Sequence, residues 1–185
     1  MTSSSSTSPQ SAPLRLGIAG LGTVGAGVIR LLATNADLVT ARAGRPLKVT
    51  AISARDRTRD RGVDLSGMRW YDNAPDLVAD PDVDVVVELI GGAEGTARAV
   101  VEAALAAGKP VVTANKALLA IHGPALARLS AEKSAPLLFE AAVAGGIPAI
   151  KMVREGLAAD RLLRIGGILN GTCNYILTVM RETGK

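Results

Sequence analysis

Short apolar runs along this chain alternate with segments in which apolar residues recur every three or four positions. The runs predict β-strands, and the segments of helical period between them predict helices. The predicted strands span residues 14–19, 47–52, 83–90, 110–113 and 137–140. The predicted helices span residues 23–33, 73–80, 94–107 and 123–132. Strands that alternate with helices in this way are typical of a doubly wound, parallel α/β sheet.

Two of these elements have a particularly clear pattern. The run VDVVVELI at 83–90 is almost unbroken and rich in β-branched residues, which predicts a parallel strand buried on both faces. The helix at 94–107 carries one apolar stripe, formed by Ala97, Val100, Val101, Ala104 and Leu105. The helix at 23–33 has a similar predicted stripe, formed by Val24, Val28, Leu31 and Leu32. Both helices are therefore expected to pack on the sheet.

The regular alternation ends near residue 144, where the chain reads AGGIP. A helix to about 157, a strand over 162–169 and a helix over 172–182 are predicted after it. One strand cannot form a sheet alone. We therefore expect a disordered tail at 1–12, a sheet domain at 13–144 and the incomplete start of a second α/β unit at 145–185, as in the front part of a longer protein.

Composition narrows the possible functions. Aromatic residues make up 2% of the chain, so the stacking surfaces that bind single-stranded nucleic acid are nearly absent. No apolar run approaches the length of a membrane span. A single cysteine, Cys173, cannot form an internal disulfide, which favours a reducing, cytoplasmic environment. A net charge of +4 suits an anionic ligand without requiring one.

The segment GLGTVG at 20–25 lies between the first predicted strand and the first predicted helix. In that position a G-x-G-x-x-G motif predicts a dinucleotide-binding turn. Gly20 permits the tight turn, Gly22 lets a pyrophosphate approach the backbone, and Gly25 lets the helix lie close to the sheet. The first backbone N–H groups of the helix would then face the phosphates.

The end of the second strand predicts which dinucleotide binds. An acidic residue there holds the ribose 2′-hydroxyl of NAD, whereas an arginine accommodates the 2′-phosphate of NADP. The first charged residue is Arg55, which favours NADP, although Asp56 follows it and is compatible with NAD. The later arginines of this segment are interpreted as solvated surface.

Two further features follow strand ends, where ligands of such sheets bind. Gly91 comes after the third predicted strand and offers bare backbone to a cofactor. Lys116 comes after the fourth, in the sequence TANK. An ammonium group there can stabilise charge on a substrate oxygen and donate a proton to it.

Taken together, five ordered segments resemble homoserine dehydrogenase. They read GLGTVG at 20–25, ELIGG at 88–92, VTANKALLA at 112–120, FEAAVAGGIPAIKMVREGL at 139–157 and GGILNGTCNYILTVM at 166–180. The resemblance runs from about Leu14 to the last residue. It implies a Rossmann-type fold and the NAD(P)-dependent interconversion of L-homoserine and L-aspartate 4-semialdehyde, on the route to threonine, methionine and isoleucine. It also implies a homodimer for the full-length protein.

The resemblance also implies residue roles. Leu21, Thr23 and Val24 would contact the cofactor phosphates, Arg55 the 2′-phosphate, and Lys116 the reacting substrate oxygen near the nicotinamide. A sodium ion would be held by one carboxylate and by backbone carbonyls. Those ligands match Glu140, Val143, Gly145 and Ile147.

The family's substrate-binding glutamate, its two aspartates and its second catalytic lysine have no counterpart in these 185 residues. We therefore expect this chain alone to turn over little homoserine. One alternative is aspartate-semialdehyde dehydrogenase, which needs a reactive cysteine, and Cys173 is poorly placed for that. The other is a non-catalytic nucleotide-sensing module, although no helix-turn-helix or basic arm is recognisable.

Overall fold

The computed structural model describes residues 12–167 and 170–184. Most of the predicted tail (1–11) and two residues of the predicted strand at 162–169 lie outside the described residues. The strands are β1 Leu14–Ala19, β2 Leu47–Ser53, β3 Arg69–Tyr71, β4 Val85–Glu88, β5 Val111–Thr113 and β6 Leu137–Leu138. The helices are α1 Thr23–Thr34, α2 Ala36–Ala43, α3 Ala74–Ala79, α4 Thr96–Ala106, α5 Lys116–Glu132, α6 Glu140–Val143, α7 Ala149–Lys151 and α8 Gly171–Thr183. A π-helical turn, Met152–Gly156, continues α7.

The strands form one parallel sheet in the order β3-β2-β1-β4-β5-β6. This is the strand order of a Rossmann-type, doubly wound fold, and it confirms the predicted fold class. After β1 the chain adds β2 and β3 on one side of β1, and it then crosses over to add β4, β5 and β6 on the other side. The switch point therefore lies between β1 and β4, where such sheets form a ligand crevice.

Each face of the sheet has its own apolar core. Leu16 and Ile18 of β1 pack with Ile29 of α1 on one face. The other face packs against α3, α4 and α5, and the predicted stripe of α4 is completely buried there. Gly17 lies on this second face, where an added Cβ would come within 2.5 Å of the Leu77 side chain. Helix α3 therefore approaches β1 closely because β1 has no side chain at that position.

Several elements differ from the prediction. Of the predicted stripe on α1, Val24 and Leu31 are more than half exposed, because the helix turns Gly25, Ala26 and Ile29 to the sheet instead. The connection predicted after α1 contains the helix α2. Strand β3 was not predicted; three residues show no alternation, and β3 exists because it pairs with β2.

The sequence predicts a helix that begins at residue 123, which is seven residues too late. Helix α5 starts at Lys116 and continues through Pro124. A proline removes one backbone donor from a helix and normally interrupts it. Here the turns on both sides are anchored in the core by Leu118 and Leu126, which are buried.

The segment after residue 144 departs most from expectation. Residues 162–167 of the predicted strand are irregular and exposed, with Leu163 85% exposed. A strand needs a neighbour for its backbone groups, and none pairs with these described residues. Helix α8 forms as predicted but has no buried residue. Among the described residues no single helix is long and apolar enough to cross a membrane, although α1 and α2, bent by 85° to each other, pass that test as a pair.

Candidate functional site

The carboxyl ends of the central strands meet at one edge of the sheet. Ala19, the last residue of β1, pairs in register with Ser53 of β2 and with Glu88 of β4. Glu88 in turn pairs with Thr113, the last residue of β5. The four loops that follow these strands therefore begin side by side at this edge of the sheet. They carry the glycine turn, Arg55, Gly91 and Lys116.

The glycine turn leaves β1 at this edge. Gly20 has φ +105°, and a Cβ there would lie 2.6 Å from the backbone of Leu89, so only glycine fits. A Cβ on Gly25 would overlap the carbonyl oxygen of Gly20. At Gly22, by contrast, an added Cβ would meet nothing within 4 Å. Gly20 and Gly25 are thus required by the fold itself, whereas Gly22 faces open space.

That open space lies at the N-terminal end of α1. The helix begins at Thr23 with Gly22 as its N-cap. The N–H groups of Thr23, Val24 and Gly25 have no partner within the helix, as in any first turn. Together with the positive end of the helix dipole they favour an anion. The geometry fits a pyrophosphate over Gly22, because the backbone is accessible there and no side chain fills the space.

A cleft of about 460 Å³ extends from the glycine turn along the ends of β2 and β4. Four of the predicted cofactor residues line it: Gly20, Leu21, Gly22 and Arg55. Thr23, Val24 and Gly25 follow directly in the first turn of α1. The remaining lining residues are Ser53, Ala54, Asp56, Arg59, Arg61, Asp72, Asn73, Ala74, Leu89, Ile90 and Thr96. One groove thus joins the glycine turn to the positively charged end of β2.

The loop after β2, residues 54–62, is called the arginine loop below. Its Asp56 carboxylate accepts hydrogen bonds from the hydroxyl and N–H of Thr58, each at 2.8 Å, and from the N–H of Arg59. The hydroxyl and backbone hydrogen bonds from Thr58 lower the pKa of Asp56. This carboxylate is therefore turned into its own loop, while Arg55 is exposed in the cleft.

The sequence predicts that Arg59 and Arg61 are surface residues; Arg59 is exposed and Arg61 is partly buried, but their place in the cleft was missed. Both line the cleft with Arg55. In the sequence, alternating arginines and aspartates look like a solvated helix face, and their spacing does not distinguish such a face from a loop that lines the cleft. The signal that could have located them is their position directly after a strand whose end meets the glycine turn.

Glu88 at the end of β4 is fully buried and was also missed. Its Oε1 accepts hydrogen bonds from the N–H groups of Ile90 at 2.8 Å and Gly91 at 3.1 Å. Its Oε2 accepts a hydrogen bond from the Thr113 hydroxyl at 2.6 Å. This carboxylate therefore fixes the loop after β4, in which Gly91 has φ +82° and an open Cβ position.

The same hydrogen-bond chain reaches Lys116. Asn115 donates from its N–H to the Thr113 hydroxyl at 3.0 Å and from its amide to the Gly92 carbonyl at 2.6 Å. Its side-chain oxygen accepts the N–H of Leu118 and caps α5. Lys116 is the first residue of that helix and is exposed. Its backbone is thus held beside the loop that contains Gly91 and Gly92, while its ammonium group is accessible.

The predicted sodium ligands lie around α6. Glu140 begins that helix, and its two carboxylate oxygens accept the N–H groups of Ile150 and Lys151, each at 2.8 Å. The connection that contains Val143, Gly145 and Ile147 is thereby closed back on Glu140. Among the described residues no group of three or more acidic, histidine or cysteine side chains could hold a metal ion. Any cation here would depend on backbone carbonyls in addition to Glu140.

Two further side chains, His122 and Cys173, carry titratable groups. His122, which has no cysteine or histidine neighbours in the sequence, is predicted to be a surface or loop residue and not a ligand. It lies in α5, where its Nε2 is 2.6 Å from Glu94 Oε1 in an exposed contact. For Cys173, which has no histidine placed to activate it, the sequence predicts a buried, inert thiol. This prediction is wrong, because Cys173 is exposed in the first turn of α8. Neither residue lines the cleft.

The strand order, the glycine turn and the cleft at the switch point define a Rossmann-type dinucleotide-binding domain. Comparison with known families agrees. Residues 20–140 match the family model described as "Homoserine dehydrogenase, NAD binding domain", and residues 148–185 match the model "Homoserine dehydrogenase". The chain therefore belongs to the homoserine dehydrogenase family.

Individual relatives support this assignment. A homoserine dehydrogenase of Pseudomonas aeruginosa is 47% identical over 173 residues, which are 94% of this chain and 39% of the relative. That of Bacillus subtilis is 42% identical over 90% of this chain and 38% of the relative. The crystal structure of a Thiobacillus denitrificans homoserine dehydrogenase superposes with a TM-score of 0.83 at 46% identity, covering 94% of this chain and 40% of that one. The chain thus spans about two fifths of the length of these relatives.

Proposed function

We propose that this chain carries the cofactor-binding part of an enzyme that interconverts L-homoserine and L-aspartate 4-semialdehyde, and that it prefers NADP(H). The single observation that carries the proposal is the open space over Gly22 at the N-terminus of α1, continuous with the arginine loop. The pathway to threonine, methionine and isoleucine, a cytoplasmic location and a homodimeric whole enzyme are part of the same proposal. They rest on the family relationship.

The charges at the far end of the cleft support the NADP(H) preference. Arg55 and Arg59 line the cleft there, and a guanidinium group can hold a phosphate through two parallel hydrogen bonds. Asp56, the residue that would hold a ribose hydroxyl of NAD, accepts hydrogen bonds within its own loop instead. NAD(H) would bind the same glycine turn without the contact to its 2′ position.

Hydride transfer is chemistry that the nicotinamide supplies when it is bound. The chain's own residues have to orient the reactants and manage one proton. Lys116 begins α5 at the carboxyl edge of the sheet, beside Gly92, and its side chain is exposed. We propose that its ammonium group stabilises negative charge on the substrate oxygen and donates the proton during reduction.

A titration of the purified 185-residue chain with NADPH and with NADH, followed by nicotinamide fluorescence, tests the cofactor proposal. We expect NADPH to bind about 10- to 150-fold more tightly, as a charged hydrogen-bonded contact of about 1.5–3 kcal/mol implies. Arg55→Gln should remove most of this preference. Arg42→Gln, which removes an equal charge from the exposed helix α2, should keep it. The proposal fails if neither dinucleotide binds, and the preference fails if both bind equally.

Testing the proposed role of Lys116 requires a complete enzyme. A chimaera in which this chain replaces the matching segment of the Pseudomonas aeruginosa relative provides one. Lys116→Met should lower kcat at least about 100-fold, the usual contribution of a general acid, while the Kd for NADPH changes little. Lys133→Met, at the exposed end of the same helix, serves as the charge control. Unchanged turnover in the Lys116 variant would exclude the proton role.

We also propose a sodium site formed by Glu140 with the carbonyls of Val143, Gly145 and Ile147. Support comes from the hydrogen bonds that close this connection on the Glu140 carboxylate and from the preference of hard cations for oxygen ligands. NaCl should raise the melting temperature more than KCl at equal ionic strength, and Glu140→Gln should abolish that difference. Identical melting curves in the two salts for the parent chain would contradict the site.

A further inference from the structure

Arg61 lies where the two walls of the cleft meet. Its Nε donates a hydrogen bond to the carbonyl oxygen of Leu21, in the glycine turn, at 3.0 Å. Its two terminal nitrogens donate to carbonyl oxygens of the arginine loop, one to Arg59 at 2.7 Å and the other to Asp56. One guanidinium group therefore ties the glycine turn to two points of the arginine loop.

The Arg61 guanidinium group also packs over an aromatic ring. Its central carbon lies 5.4 Å from the ring centroid of Trp70, within the range of a cation–π contact. The ring is held in turn, because the Trp70 indole N–H donates to the Asp72 carboxylate at 2.9 Å. Arg57 lies over the same ring, also at 5.4 Å, but no hydrogen bond joins its side chain to the described part of the protein.

The three cleft arginines thus differ in what their side chains do. The donors of Arg61 are directed at main-chain oxygens. Arg55 and Arg59 are exposed, and within the described residues their guanidinium groups have no hydrogen-bond partner. Asp56 accepts the N–H of Arg59 and so fixes the loop from the inside. Arg61 organises the loop, while Arg55 and Arg59 present the charge.

We propose that Arg61 is a positioning residue that locks the arginine loop to the glycine turn and so presents Arg55 and Arg59 to a phosphate group on the ribose. The proposal rests on the proposed function, because it assigns that phosphate to the bound cofactor. A loop that is ordered before binding loses less conformational entropy when the ligand arrives. The glycine turn belongs to the same lock, so NADH binding should also depend on Arg61, although more weakly than NADPH binding.

Two readouts on the 185-residue chain separate this role from a direct contact. The first is amide hydrogen exchange of residues 54–62 without any cofactor, and the second is the Kd for NADPH and NADH. Arg61→Gln should speed the exchange and raise the Kd for NADPH about tenfold, which corresponds to about 1.4 kcal/mol. Arg61→Lys should behave alike, because an ammonium group cannot direct three planar donors at three carbonyls.

Two variants serve as controls. Arg57→Gln removes a charge and a contact with the same Trp70 ring, and it should leave both readouts within about twofold, as expected for a surface cation. Arg55→Gln should weaken NADPH binding without changing the exchange. In the double variant of Arg55 and Arg61, the loss of NADPH-binding free energy should be smaller than the sum of the losses in the two single variants, because Arg61 acts through Arg55.

The outcomes are distinct. Weaker binding with unchanged exchange in Arg61→Gln would overturn the lock and make Arg61 a direct phosphate ligand. Rescue by Arg61→Lys, or no effect on either readout, would overturn it as well. Faster exchange in the Arg61 variants of a chain that binds neither dinucleotide would support the lock and reject the proposed function.

Discussion

The glycine turn allows its structural and its cofactor-binding requirements to be tested separately, by one substitution at Gly22 and one at Gly25. A Cβ at Gly22 meets nothing within 4 Å, and its φ of −75° with ψ −161° is open to alanine. We expect Gly22→Ala to cost below about 1 kcal/mol in the free energy of unfolding, the scale of an altered N-cap. The added methyl group would nevertheless occupy the space assigned to the pyrophosphate. Overpacking of about 1–3 kcal/mol raises the Kd for NADPH about 5- to 150-fold.

Gly25→Ala should behave differently. Its Cβ would overlap the carbonyl oxygen of Gly20, which is backbone and can move only if the turn opens. We expect the free energy of unfolding to fall by about 2–3 kcal/mol. For a chain of this size that lowers the melting temperature by about 4–12 °C. Binding of NADPH should be lost as well.

Thermal denaturation followed by circular dichroism and fluorescence titration with NADPH measure the two effects on the same samples. Gly27→Ala is the matched control, because it lies in the same helix, also has an open Cβ position and does not line the cleft. It should bind NADPH normally and be slightly more stable, as alanine is in a helix interior. The reasoning is refuted if Gly22→Ala binds NADPH like the parent chain, or if it is destabilised as much as Gly25→Ala.

The remaining predictions concern stability and the exposed thiol. Hydrogen bonds from the Arg15 side chain and backbone lower the pKa of Asp84 to about 2 from 3.8. Because the folded-state pKa is depressed, this stabilisation is complete above about pH 4 and is lost as the pH falls toward 2. Asp84→Asn should thus cost about 1–2 kcal/mol in denaturant unfolding at pH 7, allowing for partial exposure, and much less near pH 2. Equal costs at both pH values would contradict this. Glu88→Ala removes the acceptor of the buried Thr113 hydroxyl and of the less buried N–H groups of Ile90 and Gly91. It should therefore lower the free energy of unfolding by about 1–3 kcal/mol in the same assay. A loss under about 0.5 kcal/mol would show that the loop after β4 is held otherwise. Alkylation of Cys173, which is exposed outside the cleft, should leave the Kd for NADPH unchanged, and loss of binding would revive a role for this thiol.

The sequence alone determined the features that depend on local geometry. The tight turn at Gly20, the buried strand within residues 83–90 and the apolar stripe of α4 all depend on neighbouring residues, and all are present, although β4 covers only Val85–Glu88. The strand–turn–helix order around GLGTVG likewise indicated both the fold class and the kind of ligand. These inferences succeed because backbone conformation and helical or strand periodicity act over a few residues.

Tertiary structure decided what depends on partners far along the chain. Strand β3 exists only through its pairing with β2, whereas the apolar run at 162–169 is not a strand over its described residues because no neighbour pairs with it. Arg61 became part of the cleft wall through a hydrogen bond to Leu21, forty positions earlier in the chain. The arginine pattern could not reveal that bond, since the energy of a contact depends on which groups the fold brings together and not on their spacing in sequence.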